Sequence, residues 1–164
     1  MQYRYVEAKN EGCPCCSFES EDSKHQLHCR DPERYRLLCE DVDELKTFLT
    51  ATGIDANFIT CVCEYIRGRG EILFQNIPSL TDEWIKLAEE QDKIGLDNFM
   101  EGKITSESRH IVKRQMIWED GHYTAEDWTK HMISRVLDMT HGQWLYRNKV
   151  VHERMKDGIT RIEQ

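Results

Sequence analysis

The chain has 164 residues, a formal net charge of −8, and a composition that is 39% hydrophobic and 32% charged. That length suits one domain, or one domain with a small appendage, and a globule of this size hides roughly 70% of its unfolded surface. No run reaches the ~18 apolar residues of a membrane span, and "MQYRYVEAKNEG" at the start lacks the apolar stretch of a signal peptide. An intracellular location, in cytoplasm or nucleus, with no membrane association is the expectation. The acidic balance opposes general affinity for phosphate backbones, so RNA or DNA would have to be met by a local basic face. "SRHIVKR" (108–114) and "YRNKVVHERMK" (146–156) are the two segments able to supply one, and both also read as solvated helix faces.

Residues 13–29, "CPCCSFESEDSKHQLHC", hold four of the seven cysteines together with two histidines. In a reducing compartment an odd number of cysteines clustered with histidines reads as metal binding before it reads as cross-linking. Cys13 and Cys16 form a C-x2-C pair, able to hold one metal ion from a tight turn. His25 and Cys29 form H-x3-C; if "SKHQLHC" is a helical turn capped by Ser23, their side chains leave one face and converge. The pattern C-x2-C-x8-H-x3-C suits a tetrahedral Zn2+ in a structural role. Two neighbours leave alternatives open. Cys15 could replace Cys13 or Cys16, although C-x-C spacing chelates less comfortably. His28 adjoins Cys29 and points about 100° away from it on a helix. Ligation of zinc would contribute folding energy on the order of 10–16 kcal/mol.

Beyond residue 30 the pattern is helical almost throughout. "DPERYRLLCEDVDELKTFLTATG" has Asp31 as N-cap, Pro32 at the first helical position and Gly53 at its end. Leu37, Leu38, Val42, Leu45 and Leu49 recur along it at three- and four-residue spacing, one face of a helix. A second helix covers "DANFITCVCEYIRGRG", stopping at Gly68 and Gly70, and 71–80 is a loop, since Pro78 argues against a central strand. A third helix runs through "TDEWIKLAEEQDKIG", and "SESRHIVKRQMIWEDG" makes a fourth, closed by Gly121. For the last, Thr124 and Asp127 form a capping box. Behind it Trp128, Met132, Val136, Thr140, Trp144 and Val151 fall near one stripe, with Ile133, Leu137 and Leu145 beside it. That helix is expected over 125–156, some 45 Å, weakened midway by Gly142. The fold class is therefore mainly α: a helical bundle with a long C-terminal helix (31–164) and a small N-terminal CCHC zinc knuckle (1–30).

Cys39, Cys61 and Cys63 read as core cysteines, and Trp84, Trp118, Trp128 and Trp144 as core aromatics on helical stripes. "RGRGE" (67–71) follows no strand and lacks a phosphate-loop pattern, so it reads as a turn. His122, His131 and His141 are scattered and form no metalloprotease pattern.

The segment 13–29 resembles the zinc-binding segment that follows the polymerase in many non-LTR retrotransposon reverse transcriptases. There Cys-x2-Cys is followed by an acidic residue, a histidine and a further cysteine. Cys13, Cys16, Glu21 or Asp22, His25 and Cys29 take those places. "DKIGLDNFMEGKIT" and "THGQWLYRNKVVHERMKDG" are similar to helical tails of mobile-element reading frames. A polymerase palm with paired aspartates is not present, and "EDVDE" (40–44) lies in a helical pattern. The resemblance thus implies a tail with a structural zinc, contacting nucleic acid or a partner protein, and no polymerase activity. A second resemblance is carried by "YRNKVVHE": Arg147 and His152, with Asn148, resemble the R-x4-6-H signature of the HEPN family of all-helical ribonucleases. There the imidazole would move a proton and the guanidinium hold a phosphate. On one straight helix the two differ by about 140° and do not converge. The third reading is a structural protein-interaction module using its C-terminal helix.

Overall fold

A computed structural model describes residues 12–18, 22, 24–115 and 124–162 of the chain. Among them are seven α-helices and no strand: α1 (His25–His28), α2 (Pro32–Ala51), α3 (Ala56–Arg67), α4 (Asp82–Ile94), α5 (Leu96–Met100), α6 (Glu107–Gln115) and α7 (Ala125–Ile162). None of the described helices is long and apolar enough to cross a membrane.

Local chemistry sets most of the boundaries. The Asp31 carboxylate accepts the Arg34 amide at 2.9 Å, Pro32 opens α2, and Gly53 leaves it with φ 71°. Asp55 caps α3 through the Phe58 amide at 2.9 Å. The 71–80 connection holds one 3-10 turn, Phe74–Asn76, because Phe74 is buried and Asp92 of α4 accepts the amides of Phe74 and Gln75 at 2.8 and 3.0 Å. Gly95 ends α4 with φ 84° and starts α5, which periodicity did not predict; five residues are too few to show a period. α6 begins where the fourth predicted helix begins, while Trp118, Gly121 and His122 lie outside the described residues. Thr124 and Asp127 form the predicted capping box, the Thr124 amide reaching Asp127 at 3.0 Å and the Asp127 amide reaching the Thr124 hydroxyl at 3.1 Å.

α3 is buried nearly all round and sits against α2, while α7 packs along α1, α2, α5 and α6. Phe58 stacks on Trp84 at 4.0 Å and Tyr65 on Phe74 at 4.8 Å, tying α3 to α4 and the 3-10 turn. Leu27 of α1 belongs to this same core. Cys61 and Cys63 are core residues as expected, and burial raises both thiols above their ordinary range.

α7 departs from its predicted stripe. It runs 38 residues without a break at Gly142, about 57 Å, and the buried positions among its described side chains are Trp128, Met132, Val136, Met139 and Gln143. Thr140 is half-buried and Trp144 is 46% exposed, stacked on His141. Successive four-residue steps drift about 40° each on a 3.6-residue helix, so a step of three at Met139 is needed to stay on the core side.

Gly142 faces α2: a Cβ there would meet the Asp41 carboxylate at 3.7 Å, an ordinary contact distance. Burial, aided by Glu44, Glu40 and Asp138, raises Asp41 from 3.8 to about 6. The folded protein therefore holds this proton more tightly than the unfolded chain, and the associated stability is present below about pH 4 and lost as pH rises through about 6. Asp41→Asn is expected to be more stable than the parent at neutral pH by about 1 kcal/mol, after allowance for solvent screening, with the difference gone below about pH 4. Urea midpoints of both proteins across that range check it.

Candidate metal centre

Three short pieces of chain build the centre. Residues Cys13 to Phe18 form a closed turn: the Ser17 amide bonds the Cys13 carbonyl at 2.9 Å and the Cys13 amide bonds the Phe18 carbonyl at 2.8 Å. Ser17 takes a left-handed φ of 61° to complete it. The second piece is α1, whose first amide, that of His25, is accepted by the Asp22 carboxylate at 2.7 Å; the expected cap, Ser23, lies outside the described residues. The third is Cys29, which has left the helix with ψ 131°. His25 and Cys29 therefore meet by a turn of the chain at Cys29 rather than by sharing one helical face. Asp31, held extended ahead of Pro32, keeps α1 and α2 from merging.

The result gathers four donors. The ligand atoms of Cys13, Cys16, His25 and Cys29 all lie within 4.8 Å of one another, and the group could hold a metal ion. Cys13 Sγ is 3.7 Å from Cys29 Sγ, and Cys16 Sγ is 3.3 Å from His25 Nε2. A disulfide would need about 2.05 Å, and all seven cysteines are free thiols. Metal–sulfur bonds of ~2.3 Å in a tetrahedron put sulfurs about 3.8 Å apart. Phe18 stacks flat on the His25 ring, 5.0 Å between centroids and 7° between planes, which fixes the imidazole. Cys13 and Cys29 are buried, while Cys16 and His25 are half-buried. Cys15 and His28, the two alternative ligands, stand outside this group; His28 Nε2 instead meets Asp97 of α5 at 3.2 Å.

The electrostatics separate the thiols. Burial pushes Cys13 up to about 12. At Cys16 burial also acts upward, but the backbone amide of Phe18, the Cys29 thiol and the Arg30 amide outweigh it and bring the thiol below its ordinary value.

Residues far away in sequence complete the surroundings. Arg34, fully buried in the first turn of α2, places Nη1 4.0 Å from Cys13 Sγ and donates from Nη2 to the Gln143 carbonyl of α7 at 3.2 Å. Gln143 Nε2 returns a bond to the Arg34 carbonyl at 3.1 Å. Burial lowers Arg34, yet the thiols of Cys29, Cys15 and Cys13 more than restore it, leaving it above its ordinary value. Arg69, from the "RGRGE" turn, donates to the Cys29 carbonyl at 2.6 Å and lies over the Tyr35 ring. Neither arginine nor Gln143 is marked by ligand spacing. Arg34 does leave one trace, a cation four residues before Leu38 on the apolar stripe of α2.

The other candidates stay apart. Arg147 Nη1 bonds Asn148 Oδ1 at 3.3 Å, His152 is exposed, and one uninterrupted helix carries both at about 140°. Arg109, His110, Lys113 and Arg114 line an exposed side of α6. On α7, away from the core, Leu137, Trp144 and Leu145 are 44%, 46% and 50% exposed.

No family model, curated protein or solved structure matches the chain.

The geometry separates ligands from bystanders. Cys15→Ala and His28→Ala are expected to leave metal affinity within about threefold of the parent. Cys29→Ala is expected to lower it by more than about 100-fold, beyond what outer residues of a metal site usually contribute. Competition against a chromophoric chelator measures all three.

Proposed function

We propose that the chain is a non-enzymatic helical binding module organised by one Zn2+ ion on Cys13, Cys16, His25 and Cys29. The observation that carries this reading is the convergence of three thiols and one imidazole within 4.8 Å. Three sulfurs and a nitrogen at near-tetrahedral spacing favour zinc over the hard cations, which take oxygen. The set offers four protein donors and so leaves no open position for substrate, which supports a structural ion over a catalytic one. Thiolates must replace thiols for the metal to bind, so affinity is expected to fall with acid.

The working surface is the outward side of α7. Large apolar side chains at Leu137, Trp144 and Leu145, on a chain of net charge −8, favour a protein partner over a polyanion. The retroelement-tail reading rests on the same four donors, and on its terms the exposed cations of α6 would meet phosphate.

Two measurements test the module. Elemental analysis of protein purified under reducing conditions is expected to give about one zinc per chain, lost in Cys13→Ser/Cys16→Ser; a metal-free parent would sink the reading. For the surface, a photo-crosslinking residue at position 144 in cells is expected to yield a discrete protein adduct that disappears with Leu145→Asp. Nucleic-acid adducts from a crosslinker at position 109, with none from 144, would favour the phosphate-binding alternative.

A further inference from the structure

We propose that Arg34 and Gln143 form a clasp by which the metal centre fixes the middle of α7 against α2, so that metal occupancy and docking of α7 are coupled. This rests on the zinc reading above.

The clasp is reciprocal. The Arg34 guanidinium donates to the main chain of Gln143 at 3.2 Å, and the Gln143 side chain donates to the main chain of Arg34 at 3.1 Å. Both residues are buried, Arg34 at 0% and Gln143 at 2% exposure, and they are 109 positions apart. The Gln143 carbonyl sits inside a helix, so the guanidinium uses its second lone pair and leaves the helical bond in place. The other arm of the same guanidinium lies 4.0 Å from Cys13 Sγ. A zinc ion with three thiolates and a neutral imidazole carries a net charge of about −1, and a buried cation beside it is the matching counter-charge. Arg34 thus touches the centre with one nitrogen and α7 with the next. A planar fork held at both ends cannot shift at one without disturbing the other.

Gln143 is not one of the four donors and bonds Arg34, so it is a positioning residue. Linkage requires that if bound metal favours docked α7, docked α7 favours bound metal to the same extent.

The test uses the full chain with zinc and after chelation, followed by hydrogen exchange and mass spectrometry. On metal removal, exchange around 140–147 is expected to quicken at least about tenfold while α3 and α4 keep their protection. Unchanged exchange in α7, or an equal rise in α3 and α4, overturns the clasp. In Gln143→Leu, zinc affinity is expected to fall about tenfold, and exchange at 140–147 should be fast with or without zinc. Val136→Ala, a cavity on the same helix remote from Arg34, supplies the control and should leave zinc affinity unchanged. If it weakens zinc as much as Gln143→Leu does, general destabilisation replaces the clasp. A metal-free parent overturns the zinc reading and the clasp with it; one bound zinc with unaltered affinity in Gln143→Leu overturns the clasp alone.

Discussion

A guanidinium taken wholly out of water is costly unless groups that accept hydrogen bonds or carry negative charge lie beside it. Arg34 imposes that demand at the start of α2, where its side chain lies among thiols and reaches the backbone of α7. The position is costly for a cation in a way that it would not be for a well-packed apolar side chain. Its presence makes sense when the cysteines beside it are the negative element, which is the state a bound divalent metal enforces. Fold and site therefore share one constraint: α2, α7 and the cysteine turn must arrive together for Arg34 to be accommodated.

The cysteine segment is fastened to the bundle at several other points. Leu27 sits in the main core, His28 meets Asp97 of α5, and Arg69 holds the Cys29 carbonyl from the turn after α3. Gly70 permits that last approach. Its φ of 77° suits glycine, although a Cβ there would meet Leu96 and His28 only at ordinary contact distance. An autonomous zinc finger would need none of these ties. Here the four donors lie against the bundle itself, so an ion bound there would act both on the cysteine turn with α1 and on the seam between α2 and α7.

How much of this could be read from the chain depended on how far apart the interacting residues lie. Asp31 and Thr124 announce helix starts because cap and capped amide are three residues apart. The four donors announce themselves because metal geometry restricts spacing within a short segment. Arg34, Arg69 and Gln143 could not be found that way; their partners are 109 or 40 positions distant, and neither arginine nor glutamine has a spacing rule. α5 escaped because its five residues complete little more than one turn. Trp144 reads as core because four-residue steps look periodic on paper while rotating steadily off the buried side.

The same rotation bears on what α7 is for. Among its described side chains Gln143 is the last buried one and none from 144 to 154 is buried, yet the helix continues to Ile162. Helices in proteins owe most of their stability to tertiary packing of an amphipathic face. Trp144 and Leu145, exposed at the point where the core contacts stop, are costly residues to leave in solvent at the root of such an extension. A packed partner would supply what the bundle does not, burying those side chains and supporting the turns beyond them. The metal centre lies at that same junction, through Arg34 and Gln143. With an ion bound, the proposed clasp would hold rigid the part of α7 from which the extension departs, and a partner of the kind proposed above would then meet an ordered helix and lose less conformational entropy on binding.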